Sequence, residues 1–149
     1  MINQKPPVIA LADDDADDRE IFTEVCADLG LDLKVLLFEN GRTLMNALEH
    51  PSTDQPSIIF MDINMPVKNG FEALKNIRSN PDLKGICVIV YSTSISESDV
   101  KKAKELCADG FFQKPSDYSK LSRAIKQILD TDWKDPCAEF NDSNFIISI

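Results

Sequence analysis

The sequence predicts an α/β fold in which a five-stranded parallel sheet is doubly wound, with helices on both faces. Short apolar runs alternate with helical patterns along residues 8–129. The runs are apolar at nearly every position, as expected for strands covered by helices on both sides. Each connection between strands also contains a helical pattern, which a crossover between parallel strands requires.

The five strands are predicted where mostly apolar residues follow one another without a helical period. Pro6 and Pro7 precede the first run, and Gly85 lies just before the fourth. The predicted strands cover residues 8–12, 33–38, 57–61, 86–91 and 111–113.

The helices are predicted where apolar residues recur every three or four positions. In the first of them, this recurrence places one apolar stripe along the helix, and Gly30 then ends it. That stripe consists of Ile21, Phe22, Val25, Cys26 and Leu29. The predicted helices cover residues 17–29, 43–49, 71–78, about 96–108 and 117–129, and a loop is predicted over residues 51–56.

The length of 149 residues predicts one domain over residues 1–149. Its core is expected over about residues 5–130, followed by a C-terminal extension over 131–149. Three interpretations of the extension remain open. It could be a poorly ordered end, Trp133 and Phe140 could pack back on the domain, or residues 145–149 could join a sheet edge or a dimer partner.

Composition and charge exclude several classes of protein. The formal net charge is −9, and such an acidic surface disfavours nucleic acid as a partner. No apolar run approaches the ~20 residues that cross a bilayer, and the first residues lack a secretory signal, so no membrane partner and a cytoplasmic location are expected.

Four cysteines are scattered along the chain, without a CxxC pair. This pattern predicts reduced thiols, as is usual for cytoplasmic proteins. Burial is expected for Cys26, Cys87 and Cys107, whereas Cys137 lies in the extension.

Polar side chains follow four of the predicted strands. Because ligands in open parallel sheets bind outside the carboxyl ends of the strands, these side chains are expected to converge at one edge. They are Asp13, Asp14 and Asp15 after the first strand, Asp62 after the third, Ser92, Thr93 and Ser94 after the fourth, and Lys114 after the fifth.

This set of groups suits phosphoryl acceptance. Clustered carboxylates repel one another unless a cation lies between them, and Mg²⁺ prefers such oxygen ligands. A carboxylate beside the cation, here Asp62, can attack phosphorus and form an aspartyl phosphate. The metal and Lys114 would neutralise charge on the transferring group.

Over about residues 5–130 the chain resembles the CheY-like receiver family of response regulators. The separations of Asp62 from Ser92 and from Lys114 are those that the family uses. The matching segments are residues 9–15, 60–66, Asn69 with Gly70, 90–93 and 111–115.

The resemblance implies the flavodoxin-like strand order 2-1-3-4-5 and a role for each matching residue. Asp62 would be the phosphoacceptor, and Phe111 would be the aromatic switch residue, which rotates inward on activation. The implied metal ligands are Asp13, Asp14, Asp62 and the backbone carbonyl of Asn64. Ser92, Thr93 and Lys114 would bind the phosphoryl group, and the bond from Lys114 to Pro115 would be cis.

The function implied by the resemblance is that of a stand-alone receiver in a two-component or phosphorelay system. A sensor histidine kinase or a histidine phosphotransfer protein would donate the phosphoryl group, with Mg²⁺ as cofactor. The chain would catalyse its own phosphoryl uptake and loss rather than serve as a dedicated enzyme. A downstream protein would read the switched surface, and the oligomeric state, including a homodimer, stays open.

Other interpretations remain beside this one. Asp15, Asp17 and Asp18 are expected only to cap a helix and complement its dipole. A phosphatase of the haloacid-dehalogenase type also uses an aspartyl nucleophile, but after its first strand and with a second Asp two positions on, where this chain has Asn64. A degenerate receiver would bind partners without being phosphorylated.

Overall fold

The structure, a computed structural model, describes residues 6–50, 54–130, 133, 135–138, 140 and 142–147. Its centre is one sheet in the order β2-β1-β3-β4-β5-β6, and every neighbouring pair is parallel. The predicted fold class and five-strand order are confirmed, and a short sixth strand extends them. The strands are β1 (Val8–Ala12), β2 (Lys34–Phe38), β3 (Ile58–Met61), β4 (Cys87–Ser92), β5 (Gly110–Gln113) and β6 (Ile146–Ile147).

Each of the five α-helices begins after a residue whose side chain accepts a hydrogen bond from a backbone N–H of the first turn. The capping residues are Asp15, Asn40, Asn69, Ser96 and Asp117. The helices are α1 (Ala16–Asp28), α2 (Gly41–Glu49), α3 (Gly70–Ser79), α4 (Glu97–Glu105) and α5 (Tyr118–Leu129). Within the described ranges, no helix combines the length and apolar content needed to span a bilayer.

The sheet is buried on both faces because side chains alternate along each strand. In β1, Ile9 and Leu11 belong to a cluster that also contains residues of α1 and α5. The alternate residues Ala10 and Ala12 belong to a second cluster, together with residues of α2 and α3. Helices therefore cover both faces of the sheet, and the carboxyl ends of the strands meet at one edge of this layer.

The C-terminal extension returns to the sheet. Trp133 and Phe140 pack against the cluster on the α1–α5 face. Ile146 and Ile147 form β6 beside β5, where a Cβ added at Gly110 would lie 3.2 Å from the Ile147 side chain. Packing back on the domain and joining a sheet edge, which were separate interpretations of the sequence, thus occur together.

The cysteine predictions need two corrections. Cys87 and Cys137 form a disulfide, with their Cα atoms 5.7 Å apart, so the expectation of four reduced thiols was wrong. Cys107 is exposed rather than buried, because it lies just beyond α4 in a left-handed turn (φ 66°). Cys26 is a buried free thiol, as expected, and burial raises its pKa to about 12. Spacing along the chain could not reveal the pair, since only the folding back of the extension brings it together.

Candidate functional site

The residues predicted after the strands do meet at one edge of the sheet. Asp13 follows β1, Asp62 follows β3, Ser92 ends β4 and Lys114 follows β5. One oxygen each of Asp13, Asp14 and Asp62 lie within 4.8 Å of one another. The edge therefore carries a compact acidic group with one lysine beside it.

Lys114 is the electrostatic centre of this edge. Its Nζ lies 2.6 Å from Asp13 Oδ2, 2.9 Å from Asp18 Oδ2 and 3.3 Å from Asp62 Oδ2. Its backbone N–H donates to the Ser92 carbonyl oxygen at 2.7 Å, which fixes the base of the side chain at the end of β4. One ammonium thus contacts three carboxylates, whose combined negative charge exceeds its own.

Burial and ionic contacts together determine the pKa values of Asp13 and Lys114. Asp13 is fully buried, and this burial raises its pKa to about 6, although the Lys114 ammonium opposes the shift. Burial alone would lower the pKa of Lys114, but hydrogen bonds to Asp13 and Asp18 and the charge of Asp62 raise it above its usual range. Lys114 is therefore a permanent cation within the site.

The acidic group fits a hard divalent cation. Asp13 Oδ2 is buried and, within the part of the chain that the structure describes, lacks a well-aligned hydrogen bond; its charge faces Lys114. Asp14 is exposed, so its carboxylate remains open to the solvent side. A small set of carboxylates, of which Asp14 is open to solvent, matches the preference of Mg²⁺ for carboxylates and water.

The loop after β3 holds Asp62 by its backbone. The Asp62 N–H donates to the Ala12 carbonyl oxygen at 2.9 Å, and Asp62 Oδ1 accepts from the Asn64 N–H at 3.0 Å. The Gly70 N–H returns to the Ile63 carbonyl oxygen at 3.3 Å. A Cβ at Gly70 would collide with the Asp62 carbonyl oxygen, so the loop closes this tightly only around a glycine.

The two predicted hydroxyl residues differ in position. Ser92 is fully buried, and its Oγ accepts from the Ser94 N–H at 3.4 Å. Thr93 is exposed, and its carbonyl oxygen accepts from Gln113 Nε2 at 3.3 Å. Ser92 therefore lies at the inner side of the edge, and Thr93 lies on its rim.

Phe111 is already fully buried, in a cluster with Ile63, Val90, Ala103 and Phe145. The Phe111 N–H donates to the Phe145 carbonyl oxygen at 2.8 Å. The ring therefore already has the inward position that the sequence resemblance implies on activation. Without a hydroxyl the ring favours burial, and Phe145 of the extension covers it.

Two features of the site differ from the sequence expectations. Asp18 was expected only to complement a helix dipole, but it binds Lys114, a contact between distant parts of the chain that no local sequence pattern signals. The bond from Lys114 to Pro115 is not cis. The trans form is intrinsically favoured by about 0.5–1 kcal/mol, and it already lets Lys114 reach all three carboxylates.

Comparison with known proteins agrees with this geometry. The family model described as "Response regulator receiver domain" matches residues 9–126. Among curated relatives, response regulator Rcp1 of Synechocystis sp. is 32% identical over 127 residues, which cover 83% of this chain and 86% of Rcp1. Chemotaxis protein CheV1 of Helicobacter pylori is 34% identical over 124 residues, covering 82% of this chain but 38% of CheV1.

Solved structures give the same result. The Mn²⁺-bound form of Rcp1 superposes with a TM-score of 0.75 at 32% identity and covers 83% of this chain and 91% of that one. The phosphorylated cyanobacterial phytochrome response regulator RcpA superposes with a TM-score of 0.77 at 31% identity, with the same coverage.

Proposed function

The chain belongs to the response regulator receiver domain family, and we propose that within this family it is a Mg²⁺-dependent switch that accepts a phosphoryl group on Asp62. Phosphorylation on an aspartate is typical of the family. The observation that carries the assignment to Asp62 is the position of its carboxylate, which shares the Lys114 ammonium with the buried Asp13 carboxylate. A sensor histidine kinase or a histidine phosphotransfer protein is the proposed donor.

The proposed chemistry is an in-line transfer that the chain's own residues assist. A carboxylate oxygen of Asp62 forms the new bond to phosphorus while the P–N bond of the donor phosphohistidine breaks, and the imidazole leaves with the electron pair. Lys114 would pair with a phosphoryl oxygen, and Ser92 and Thr93 would supply hydroxyl or backbone donors. The bound cation would neutralise charge on the phosphoryl oxygens.

The proposed ligands of that cation are Asp14 directly, Asp13 through water, Asp62 and the backbone carbonyl of Asn64. Exposure of Asp14 supports a site open to solvent, as Mg²⁺ requires in order to keep several waters. The Mn²⁺-bound form of Rcp1 supports a divalent cation in a related protein. Uptake and loss of the phosphoryl group would be self-catalysed.

The proposed output is a change in the surface formed by α4, β5 and α5, which a downstream protein in the cytoplasm would bind. Phe111 joins this surface to the site through β5, where Lys114 follows Gln113. A second copy of the chain is a further candidate partner, since Ile146 is 48% exposed on the edge strand. Binding with and without beryllofluoride tests the output, and equal affinities would argue against it.

The first experiment is intact mass after incubation with acetyl phosphate, with and without Mg²⁺. We expect one phosphoryl group on the wild type only when Mg²⁺ is present, and none on Asp62→Asn. Asp82→Asn is the matched control, because Asp82 is an exposed carboxylate that is distant in sequence from the residues of the proposed site. Uptake by Asp62→Asn would reject the assignment of the acceptor.

Two further outcomes separate the rival functions. Catalytic release of phosphate from a generic phosphomonoester would favour the phosphatase interpretation. A folded wild type that takes no phosphoryl group from either acetyl phosphate or a phosphohistidine donor would favour a degenerate receiver.

A further inference from the structure

We propose that Cys87 and Cys137 form a reversible redox site whose oxidation fixes the C-terminal extension against Phe111 of β5. The formation of the site depends only on the geometry of the thiols. Its consequence for signalling rests on the proposed function of Phe111.

The fold presents the two sulfurs to each other. Cys87 opens β4 and is 3% exposed, whereas Cys137 lies on the returning extension and is only partly buried. Their separation of 50 residues gives no reason for proximity, yet their Cα atoms are 5.7 Å apart, a Cα–Cα distance that disulfides usually have. In a cytoplasmic protein, such a bond is most often transient or redox-sensing.

The pair is accessible from one side. A cavity of about 370 Å³ lies over it, at the amino end of β4 and therefore at the sheet edge opposite Asp62. Cys137 and the exposed Cys107 both line this cavity. Cys87 lines it too but is only 3% exposed, so of the proposed pair a small reagent reaches the partly exposed Cys137 more readily.

The reaction requires a low-molecular-weight disulfide as oxidant. The Cys137 thiolate attacks one sulfur of this reagent, a mixed disulfide forms and one small thiol leaves. Cys87, deprotonated in turn, attacks the Cys137 sulfur and displaces the second small thiol. Two electrons pass from the protein to the reagent, and the two protons lost by the cysteines end on the two small thiols.

A metal ion is the competing occupant. Ligand atoms of Cys87, Cys137 and Asp109 lie within 4.8 Å of one another. However, Asp109 Oδ2 already binds the Arg78 guanidinium at 2.7 Å and the Val88 N–H at 2.9 Å. Because this guanidinium places a positive charge beside the group, the geometry favours a disulfide over a cation.

The C-terminal extension connects the Cys87–Cys137 disulfide to Phe111 on β5. Beyond Cys137 it reaches Phe145, which is 5% exposed and packs in the same cluster as Phe111. The Phe145 carbonyl oxygen accepts the Phe111 N–H at 2.8 Å, and Ile146 then pairs with Phe111 in register. Closing the disulfide removes conformations in which this segment is detached, so the oxidised protein holds Phe111 inward more firmly.

The test compares oxidised and reduced wild type with Cys137→Ser and Cys107→Ser. Cys107→Ser is the matched control, since it removes a thiol that lines the same cavity without touching the proposed pair. Cys137 is partly exposed, so its serine variant should fold; Cys87 is left unchanged because it lies in the core. The readouts are peptide mapping after alkylation and hydrogen exchange of the Phe111 amide.

After incubation with glutathione disulfide, we expect a Cys87–Cys137 peptide pair in the wild type and in Cys107→Ser. Reduction, or Cys137→Ser, should speed exchange of the Phe111 amide by about tenfold, because the extension then opens locally. Alkylation of both cysteines in oxidised, folded wild type would overturn the proposal. The proposal would also be overturned if the Phe111 amide exchanged at the same rate in the oxidised and the reduced protein. Retention of one zinc ion by the reduced wild type, and its loss in Cys137→Ser, would overturn it as well.

None of these readouts uses phosphorylation. Failure of phosphoryl uptake at Asp62 would therefore reject the proposed function and leave the redox site standing, and the reverse also holds.

Discussion

Lys114 Nζ and Asp13 Oδ2 lie 2.6 Å apart in a pair that is almost fully withdrawn from solvent, with side-chain exposures of 8% and 0%. Removing one partner of a buried ion pair leaves an uncompensated charge, whereas intact pairs contribute little net stability. The pair thus makes the site sensitive to the loss of either charge. A divalent cation bound by the same carboxylates would, like Lys114, neutralise part of their negative charge.

Replacing Lys114 with glutamine should lower the free energy of unfolding by about 3 kcal/mol in metal-free buffer, because three carboxylates lose their counter-charge. Mg²⁺ should restore part of this loss by supplying positive charge to the same oxygens. Urea denaturation with and without Mg²⁺ measures both effects. Lys120→Gln, at an exposed position, is the control and should change stability by no more than about 0.5 kcal/mol. A loss that Mg²⁺ does not change would argue against a cation at this edge.

Asp18 and Asp17 offer a matched comparison in the first turn of α1. Both complement the helix dipole, but only Asp18 binds Lys114, at 2.9 Å. Asp18→Asn should slow Mg²⁺-dependent phosphoryl uptake by up to about tenfold, since Lys114 loses one of the groups that orient it. Asp17→Asn should leave the rate within about twofold. Equal effects of the two variants would mean that Asp18 acts only by complementing the helix dipole and not through its contact with Lys114. Time-resolved intact mass gives the rates.

Gly70 lies where a larger residue would clash, whereas Gly85 lies where a larger residue would fit. A Cβ at Gly70 would press on the Asp62 carbonyl oxygen and on Ile63 Cα, whereas a Cβ at Gly85 would meet no atom within 4 Å. Gly70→Ala should destabilise the fold by about 1–3 kcal/mol despite the better helix propensity of alanine. Gly85→Ala should be neutral, or stabilising by up to about 1 kcal/mol. Thermal unfolding of both variants checks this, and a neutral Gly70→Ala would contradict the packing of the loop.

The ion pair between Arg78 and Asp109 leads us to predict that the folding stability depends on pH. Burial raises the pKa of the Asp109 carboxyl, while its Val88 hydrogen bond and the Arg78 guanidinium oppose that shift. A raised pKa means that the folded state binds more protons than the unfolded state between the ordinary pKa of 3.8 and the raised one. The contribution of Asp109 to stability therefore falls as pH rises through that window.

Arg78→Met should raise the pKa of Asp109 further and extend this fall to higher pH. The variant should also lose about 3 kcal/mol at every pH, since Arg78 donates to the carbonyl oxygens of Lys84, Ile86 and Cys107. Urea unfolding between pH 4.5 and 8 separates the slope from the offset. Adding Asp109→Asn should abolish the extra slope, and a slope that survives would mean that another group titrates.

The elements that could be predicted from sequence are those with a local cause. Strands buried on both faces show apolar runs, and polar residues after the strands must converge because all the strands are parallel. Asp13, Asp62 and Lys114 could thus be placed at one edge without coordinates. Even so, α4 ends at Glu105 and not near residue 108, because Cys107 takes a left-handed conformation that is more usual for glycine.

What escaped prediction depends on contacts between distant parts of the chain. Asp18 reaches Lys114 only because α1 and β5 meet at the site, and no local pattern records that meeting. The extension has apolar residues but no helical or strand period over most of its length, yet its aromatic residues each pack on a surface that the rest of the fold creates. The pairing of Cys87 with Cys137 follows from that placement.

The short strand β6 also bears on aggregation. Without it, β5 would be the outermost strand and would offer unpaired N–H and C=O groups to other chains. Gly110 leaves room for Ile147, and within the described residues the strand beside β5 is β6, which pairs with the groups that β5 would otherwise leave open. A chain cut after residue 130 should therefore self-associate as its concentration rises, in addition to losing stability. In this respect, the extension occupies the place beside β5 that a neighbouring chain could otherwise take.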